Sequence, residues 1–126
     1  MKALMVISLL TSWLNGIDSS VVENISHALR SGDIAVLDDY YAPSVDVTIL
    51  YYQGFLNKSA VSSKVEKFFS SHSIDRYEII HEGKSKGSDS VYTIGTLFTN
   101  QGKYRVYMFI TIRDGKDQIE EIKIEA

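Results

Sequence analysis

The chain has 126 residues, the size of one domain, and 44 % of them are hydrophobic and 23 % charged, as in an ordinary globular protein. The 16 Asp and Glu residues outnumber the 13 Lys and Arg residues, so the net charge is −3 at pH 7. This acidic balance disfavours nucleic-acid binding, which needs a basic face to neutralise phosphates. The chain has no cysteine, which excludes disulfides, a thiolate nucleophile and Cys-ligated zinc.

The first 16 residues, MKALMVISLLTSWLNG, have the pattern of a signal peptide. Lys2 supplies a positive charge, and residues 3–14 form an apolar stretch that is shorter than the roughly 20 residues of a membrane span. We predict a signal peptide over residues 1–16, a single mature domain over residues 17–126, and export to the periplasm or the medium without a stable membrane span. The alternative is an N-terminal strand or helix that belongs to the core.

Three helices are predicted in the first part of the mature chain. The first has apolar residues at helical spacing, namely Val21, Val22, Ile25, Ala28 and Leu29. The second is short, begins after Asp33 as its N-cap and continues through Tyr40 before Pro43 stops it. The third begins after Asn57 as its N-cap, and its apolar stripe consists of Ala60, Val61, Val65, Phe68 and Phe69.

Alternating apolar residues predict five strands, over residues 45–52, 77–82, 91–98, 104–113 and 118–125. Gly54 is expected to turn the chain out of the first strand, and a slip in the alternation of the last strand predicts a β-bulge near Glu120 and Glu121. One face of the fourth strand is apolar and is expected to pack against the helices: Tyr104, Val106, Met108, Ile110 and Ile112. The element order predicts an α+β fold, with three helices on a strongly bent, mostly antiparallel sheet.

The element order resembles the NTF2-like, or cystatin-like, cone fold. Four stretches are similar to a family of small exported bacterial proteins that is known only as a domain of unknown function with this fold: residues 81–87 (HEGKSKG), 92–97 (YTIGTL), 102–107 (GKYRVY) and 122–125 (IKIE). The segment LNKS at residues 56–59 also fits the start of the third helix. The resemblance covers residues 17–126 and implies the fold and export. It implies no activity, because NTF2-like proteins include both enzymes and non-catalytic members.

His81 and Asp46 are the candidates for acid–base catalysis inside the cone. Such chemistry needs an inward-pointing group whose pKa is shifted by burial. His81 shares a predicted strand face with Tyr77 and Ile79, whereas the alternation turns Asp46 away from the apolar interior. No two histidines have the i,i+3 or i,i+4 spacing of metal ligands, so neither a metal nor a cofactor is predicted.

The eight tyrosines of the chain are spread over almost every predicted element. A phenol combines an apolar ring with a hydroxyl that needs a partner, so tyrosines can rim a pocket for a small amphipathic ligand. The candidate ligand-binding residues are Tyr41, Tyr51, His81 and Tyr92. The alternative is that tyrosines pack in the strands and in an aromatic core.

The other face of the fourth strand carries Arg105, Tyr107 and Phe109. It is too aromatic for a fully solvated face and predicts a contact surface, with a homodimer formed through the sheet. The first functional hypothesis is therefore a non-catalytic module that binds a small ligand or a protein partner. The alternatives are a small enzyme of the isomerase or dehydratase type, using an acid–base residue in the cone, and a stability or assembly factor whose interior is filled.

Overall fold

The computed structural model describes residues 19–126 except residues 86 and 88, so the predicted signal peptide, residues 1–16, lies outside the described residues. Within them the chain forms two α-helices, α1 (Ser19–Ser31) and α2 (Lys58–Ser71), and a 3-10 helix (Ile34–Asp39). The strands are β1 (Tyr41–Ile49), β2 (Tyr52–Leu56), β3 (Ile74–Lys84), β4 (Ser90–Thr99), β5 (Gly102–Arg113) and β6 (Lys116–Glu125). The second predicted helix is therefore a 3-10 helix, and the described sheet has six strands where five were predicted.

The strands form one sheet in the order β2-β1-β6-β5-β4-β3. The four later strands are an antiparallel meander, and β2 pairs with β1 antiparallel. β1 and β6 run parallel, so the early hairpin is joined to the meander through the last strand of the chain. The prediction of a mostly antiparallel sheet is confirmed, with this one parallel pair.

The helix ends follow local chemistry. Gly32 ends α1 in the left-handed region, with φ +79°, and its N–H donates to the Ala28 carbonyl over 3.0 Å. The Asn57 side chain caps α2 by accepting from the Ala60 N–H over 2.9 Å, as predicted. Asp33 makes no side-chain cap, and the segment after it is too short to become more than a 3-10 turn.

Pro43 lies inside β1 and does not stop the preceding helix, so this prediction is wrong. The register of β1 against β6 shifts between Tyr41 and Asp46. Proline has no N–H to donate to a sheet, and it is tolerated where strand pairing is irregular. The irregular start of β1 is therefore the place in the sheet that accepts Pro43.

The core lies between the helices and one face of the sheet. The predicted apolar face of α1 is buried, and so are Val61, Val65 and Phe68 of α2. They pack with the inward residues of the sheet, among which these are at most 1 % exposed: Val45, Val47, Val106, Met108, Ile110, Ile119, Ile122 and Ile124. The inner face of β5 was predicted correctly, and aliphatic side chains fill the space between helices and sheet.

The β1–β2 turn lies at Leu50 and Tyr51, before the position predicted from Gly54. Ile49 pairs with Tyr52, which leaves two residues in the hairpin loop. Leu50 takes φ +55°, a region that a bulky side chain rarely adopts, and its N–H donates to the Ile124 carbonyl over 2.9 Å. Gly54 lies within β2, so the predicted strand over residues 45–52 is really two strands.

Two β-bulges decide which side chains face outward. Phe109 of β5 pairs with Glu121 and the next residue, Ile110, pairs with Ile119, so Glu120 is the extra residue of the predicted bulge. The register of β3 against β4 also shifts, once between Ile74 and Arg76 and once between Ile79 and His81. The bulge between Ile79 and His81 was not predicted, and it reverses the face on which His81 lies.

Two glycines of the sheet make room for tyrosine rings. A Cβ atom at Gly95 would overlap the ring of Tyr77, which is 3 % exposed and packs in the core. A Cβ atom at Gly83 would overlap the ring of Tyr92, which lies half-buried on the opposite face. Ring packing against a strand glycine covers backbone that would otherwise be bare. The tyrosine ring on the neighbouring strand therefore leaves no room for a side chain at either glycine.

We expect Gly95→Ala to lower the free energy of unfolding by about 2 to 3 kcal/mol, because the Tyr77 ring is enclosed and cannot move aside without strain. Gly83→Ala is the matched control, since the Tyr92 ring can swing towards solvent, and we expect a loss below about 1 kcal/mol. Urea unfolding of the two variants measures both values. If both variants lost the same free energy of unfolding, the Tyr77 ring in the core would be no more tightly held than the Tyr92 ring on the outer face.

Candidate functional site: the outer face of the sheet

The face of the sheet that points away from the helices carries an apolar cluster at its centre. Tyr92 pairs with Phe109, and Ile94 pairs with Tyr107, across β4 and β5. All four side chains are half-buried, and we call them the outer-face cluster. A solvated sheet face normally carries polar side chains at such positions. These four neighbours therefore form a candidate contact surface.

Polar groups hold the rim of the outer-face cluster. Nε2 of His81 and the hydroxyl of Tyr92 are 2.8 Å apart and form a hydrogen bond. The Tyr92 and Tyr107 rings stack with their centroids 6.2 Å apart, and Lys123 Nζ lies 5.7 Å from the Tyr107 ring centroid. A continuous band from His81 to Lys123 thus crosses four strands and fixes the orientation of both phenols.

The electrostatics of the cluster favour a neutral phenol at its centre. Partial burial raises the pKa of Tyr107, and the nearby Glu121 carboxylate raises it further, while Lys123 acts in the opposite sense. Lys123 Nζ lies 3.6 Å from a Glu121 carboxylate oxygen. The hydroxyl of Tyr107 is therefore available as a neutral hydrogen-bonding group at neutral pH.

Charge is unevenly distributed along the strands of the outer face. Acidic side chains lie towards the Phe109 end, where Asp46 pairs with Glu121 and the extra residue Glu120 accepts from Arg113 Nε over 2.7 Å. The opposite end carries Lys103 and Arg105 of β5, the latter paired with Glu125 of β6, and Arg76 of β3, which lies 3.5 Å from a Glu78 carboxylate oxygen and 3.9 Å from the Phe98 ring centroid. The predicted interface residue Arg105 thus lies at the end where basic side chains are most numerous.

The structure separates the four residues predicted to share a ligand site. Tyr41 is 1 % exposed and belongs to the core, whereas Tyr51 is fully exposed at the tip of the β1–β2 hairpin. Only His81 and Tyr92 are in contact, on the outer face. The prediction of one tyrosine-rimmed pocket is therefore not met in this arrangement, and core packing explains Tyr41.

The two acid–base candidates lie on the outer side of the sheet. Asp46 pairs with Phe55 and Glu121, facing away from the core as the alternation predicted. His81 is solvent-exposed and pairs with Ile94, so its predicted position beside Tyr77 and Ile79 on the inner face is wrong. The cause is the bulge at Ile80, because one extra residue moves every following side chain to the opposite face.

The hydroxyl of Tyr41 is the one buried side-chain polar atom in the described part of the chain for which no hydrogen-bond partner is found. Burial raises the pKa of Tyr41, and the carboxylates of Asp38 and Glu66 raise it further. Tyr77 differs, because its hydroxyl is hydrogen-bonded to the Thr93 side chain. Burial raises the pKa of Tyr77 to about 12, while the Arg30 charge and the hydrogen bond to Thr93 lower it. Both phenols are neutral at physiological pH.

Surface clefts lie outside the core. A cleft of about 320 Å³ lies between α1 and the 3-10 helix and is lined by Glu23, His27 and Tyr40, with Asn24 Nδ2 donating to the Tyr40 hydroxyl over 3.2 Å. A cleft of about 290 Å³ at the start of α2 is lined by Tyr41 and Lys58, and none of the other predicted ligand residues contributes to it.

The described residues contain no group of three or more His, Cys, Asp and Glu side chains arranged to hold a metal ion. No helix in the part of the chain that the structure describes is long and apolar enough to cross a membrane.

Three residues of the outer face were missed by the sequence analysis. Ile94 lies two residues after Tyr92 in β4, and Lys123 lies two residues after Glu121 in β6. Residues two apart in a strand share a face, so the alternation alone could have placed both on the outer face. Phe55 was missed because β2 was not predicted as a strand. It is 74 % exposed and lies on the outer face opposite Asp46.

Helices on one face of a six-stranded sheet, in this chain order, are the arrangement of the NTF2-like, or cystatin-like, fold. A protein of unknown function with a cystatin-like fold from Nostoc punctiforme aligns with a TM-score of 0.61 at 12 % identity, over 82 % of this chain and 84 % of that one. More specifically, the chain belongs to the family described as domain of unknown function DUF4783, whose profile matches residues 22–125.

Solved members of this family are similar throughout the domain. The DUF4783 protein of Bacteroides uniformis has 28 % identity and a TM-score of 0.76, over 82 % of this chain and 94 % of its own. The DUF4783 protein of Bacteroides fragilis has 27 % identity and a TM-score of 0.75, over 81 % and 94 %. Among curated proteins no match to the chain was found.

We expect Tyr41→Phe to raise the free energy of unfolding at pH 7 by about 1 kcal/mol, because it removes a buried hydroxyl that lacks a partner. Tyr77→Phe is the matched control and should lower it by about 1 kcal/mol, since it breaks the bond to Thr93. Urea unfolding at pH 7 measures both. A loss of stability in Tyr41→Phe would show that its hydroxyl is satisfied in solution.

Stability should also fall in alkali. The unfolded chain loses a tyrosine proton near pH 10, whereas the folded state keeps the Tyr77 proton up to about pH 12. Between these values each such tyrosine lowers the free energy of unfolding by about 1.4 kcal/mol per pH unit. We expect Tyr41→Phe to show a shallower decline than wild type above pH 10, measured by urea unfolding from pH 8 to pH 11. Identical slopes would contradict burial of the Tyr41 phenol.

Proposed function

We propose that the protein is a non-catalytic binding module and that the outer-face cluster is its contact surface for a protein partner. The observation that carries the proposal is the distribution of apolar side chains over the two faces of the sheet. Aliphatic side chains fill the inner face, whereas Tyr107, Phe109 and their two neighbours remain accessible on the outer face. Aromatic residues surrounded by a polar rim are typical of protein interfaces.

A flat protein surface fits the cluster better than a small amphipathic ligand does. The four side chains lie on adjacent pairs of two neighbouring strands, and none of them lines the two clefts described above. The rim offers a histidine, a lysine and carboxylates, which suits an extended contact with several polar groups. A small ligand bound by His81 and Tyr92 at the rim is the other form of this hypothesis.

A second copy of the chain is the partner that the charges favour. In an isologous interface, a twofold axis lying across the strands between Tyr107 and Phe109 would set Tyr107 against Phe109 of the second copy. The same axis would set Lys123 against Glu121 of the second copy, and Arg105 towards its acidic end. Contacts across such an axis would therefore pair aromatic side chains with each other and opposite charges with each other. We propose a homodimer with these contacts across the axis.

An enzyme of the isomerase or dehydratase type is the second candidate, and the hydrogen bond between His81 and Tyr92 favours it. Acid–base catalysis is most effective in a site that excludes water, however, and both His81 and Asp46 lie on the outer side of the sheet. We rank this candidate below the binding module for that reason. Export to the periplasm or the medium, with cleavage near residue 16, is proposed from the sequence pattern of the leader.

We expect a dimer at tens of micromolar protein, measured by sedimentation, and we expect Phe109→Ser to weaken it at least tenfold because a central apolar contact is lost. Phe55→Ser is the matched control, since Phe55 lies on the same face outside the cluster. Lys123→Glu alone should weaken the dimer, and Lys123→Glu combined with Glu121→Lys should restore it. A wild-type monomer at this concentration would rule out the homodimer.

A further inference from the structure

The two edge strands of the sheet are protected to very different degrees. At one edge, β3 carries five charged side chains and a histidine in its 11 residues and has a bulge at Ile80. Helix α1 packs beside β3, and Arg30 Nε donates to the Tyr77 carbonyl over 3.2 Å. Charges, bulges and covered backbone are the devices that stop an edge strand from pairing with another chain. The β3 edge has all three.

The other edge, β2, lacks the first two of these devices in the part of the chain that the structure describes. Its sequence, YQGFL, contains no charged residue and no proline. Its pairing with β1 runs without a bulge from Leu56 opposite Val45 to Tyr52 opposite Ile49. Among the described residues β1 is the strand with which β2 pairs, so the backbone groups along its other side face away from the sheet. Such an edge is a template for an added strand.

The side chains around β2 are also those of a contact surface. Phe55 is 74 % exposed and Tyr51, at the adjoining hairpin tip, is fully exposed. The turn that holds Tyr51 there places Leu50 in a strained conformation at φ +55°. Strain of this kind persists where the surrounding structure imposes it, and it is concentrated at functional sites.

Helix α2 gives the inner side of this edge a positive charge. Lys64 Nζ lies 3.9 Å from the centroid of the Tyr52 ring, so it stands directly over the inner face of β2. The helix carries three lysines against one glutamate, and its positively polarised N-terminus begins at Lys58, immediately after β2. An added strand would therefore meet lysine on its inner side and the Phe55 ring on its outer side.

We propose that β2 binds an extended segment of a partner protein as a seventh strand, with acidic side chains facing α2 and apolar side chains facing Phe55. The alternating pattern follows from the period of two residues in a strand. Pairing of β2 with β2 of a second copy is disfavoured, because it would bring two positively charged α2 helices together. This edge lies three strands from β5, so the proposal goes beyond the outer-face cluster and does not depend on it.

The probe for the test is a fluorescein-labelled peptide of seven residues in which Glu and Val alternate. The control peptide has Lys in place of Glu. Fluorescence anisotropy with the full mature chain should show the acidic peptide binding at least tenfold more tightly than the basic one. Hydrogen exchange should show new protection of amides in β2 and none in β3.

Matched variants identify the edge that binds. Phe55→Ser should weaken binding of the acidic peptide about tenfold, whereas Ile80→Ser, which truncates the exposed apolar residue of the opposite edge, should change it less than twofold. Lys64→Glu should reverse the preference between the peptides, because Lys64 lies over the Tyr52 ring of β2. Lys67→Glu makes the same change in net charge one turn further along the helix and should only weaken the preference. Both serine substitutions are at exposed positions and leave the core intact.

Three results would overturn the proposal. They are the absence of binding by either peptide, equal effects of Phe55→Ser and Ile80→Ser, and equal effects of Lys64→Glu and Lys67→Glu. A dimer that Phe55→Ser dissociates would assign the edge to a second copy and would overturn it as well. The first three results do not involve Phe109 and leave the homodimer test of the outer-face cluster unaffected. A dimer dissociated by Phe55→Ser would also contradict that test, because Phe55→Ser is its control.

Discussion

Burial of only one face of the sheet is the constraint on which the rest of the structure depends. The helices α1 and α2 cover the inner face, and the aliphatic residues of β1, β5 and β6 pack against them in one continuous core. The outer face has no layer above it in the described chain, so its large side chains remain half-buried by their neighbours alone. In the part of the chain that the structure describes, the large hydrophobic side chains that remain exposed, namely Leu50, Tyr51, Phe55 and Ile80, lie at the edges of the sheet and at the β1–β2 hairpin tip.

The spacing of apolar residues correctly predicted the helices and strands that bury one face and expose the other. The apolar face of α1, the cap of α2 at Asn57 and the inward residues of β5 all follow from regular spacing, and each matches the structure. The bulge at Glu120 was predictable because the alternation itself slips there. In these elements a residue's face is set by its neighbours within one strand or helix, and that information is local.

What could not be predicted depends on pairing between strands. The turn at Leu50 has no Gly, Asn or Pro, and the left-handed conformation there is imposed by the register of β1 with β2 and β6. The sequence around Ile80 has no regular alternation of polar and apolar residues, so the bulge there could not be recognised from it. For these reasons His81 was placed on the wrong face, and β2, with Phe55 at the edge, was missed altogether.

The parallel pairing of β1 with β6 also has a consequence for the order of events during synthesis. The two strands come from opposite ends of the described domain, and such distant pairing requires a large loop to close before it contributes stability. Until β6 is made, the β1–β2 hairpin and α2 lack the strand that joins them to the meander. Part of the apolar inner face therefore stays exposed until the last strand emerges, and exposed apolar surface of this kind is what chaperones bind.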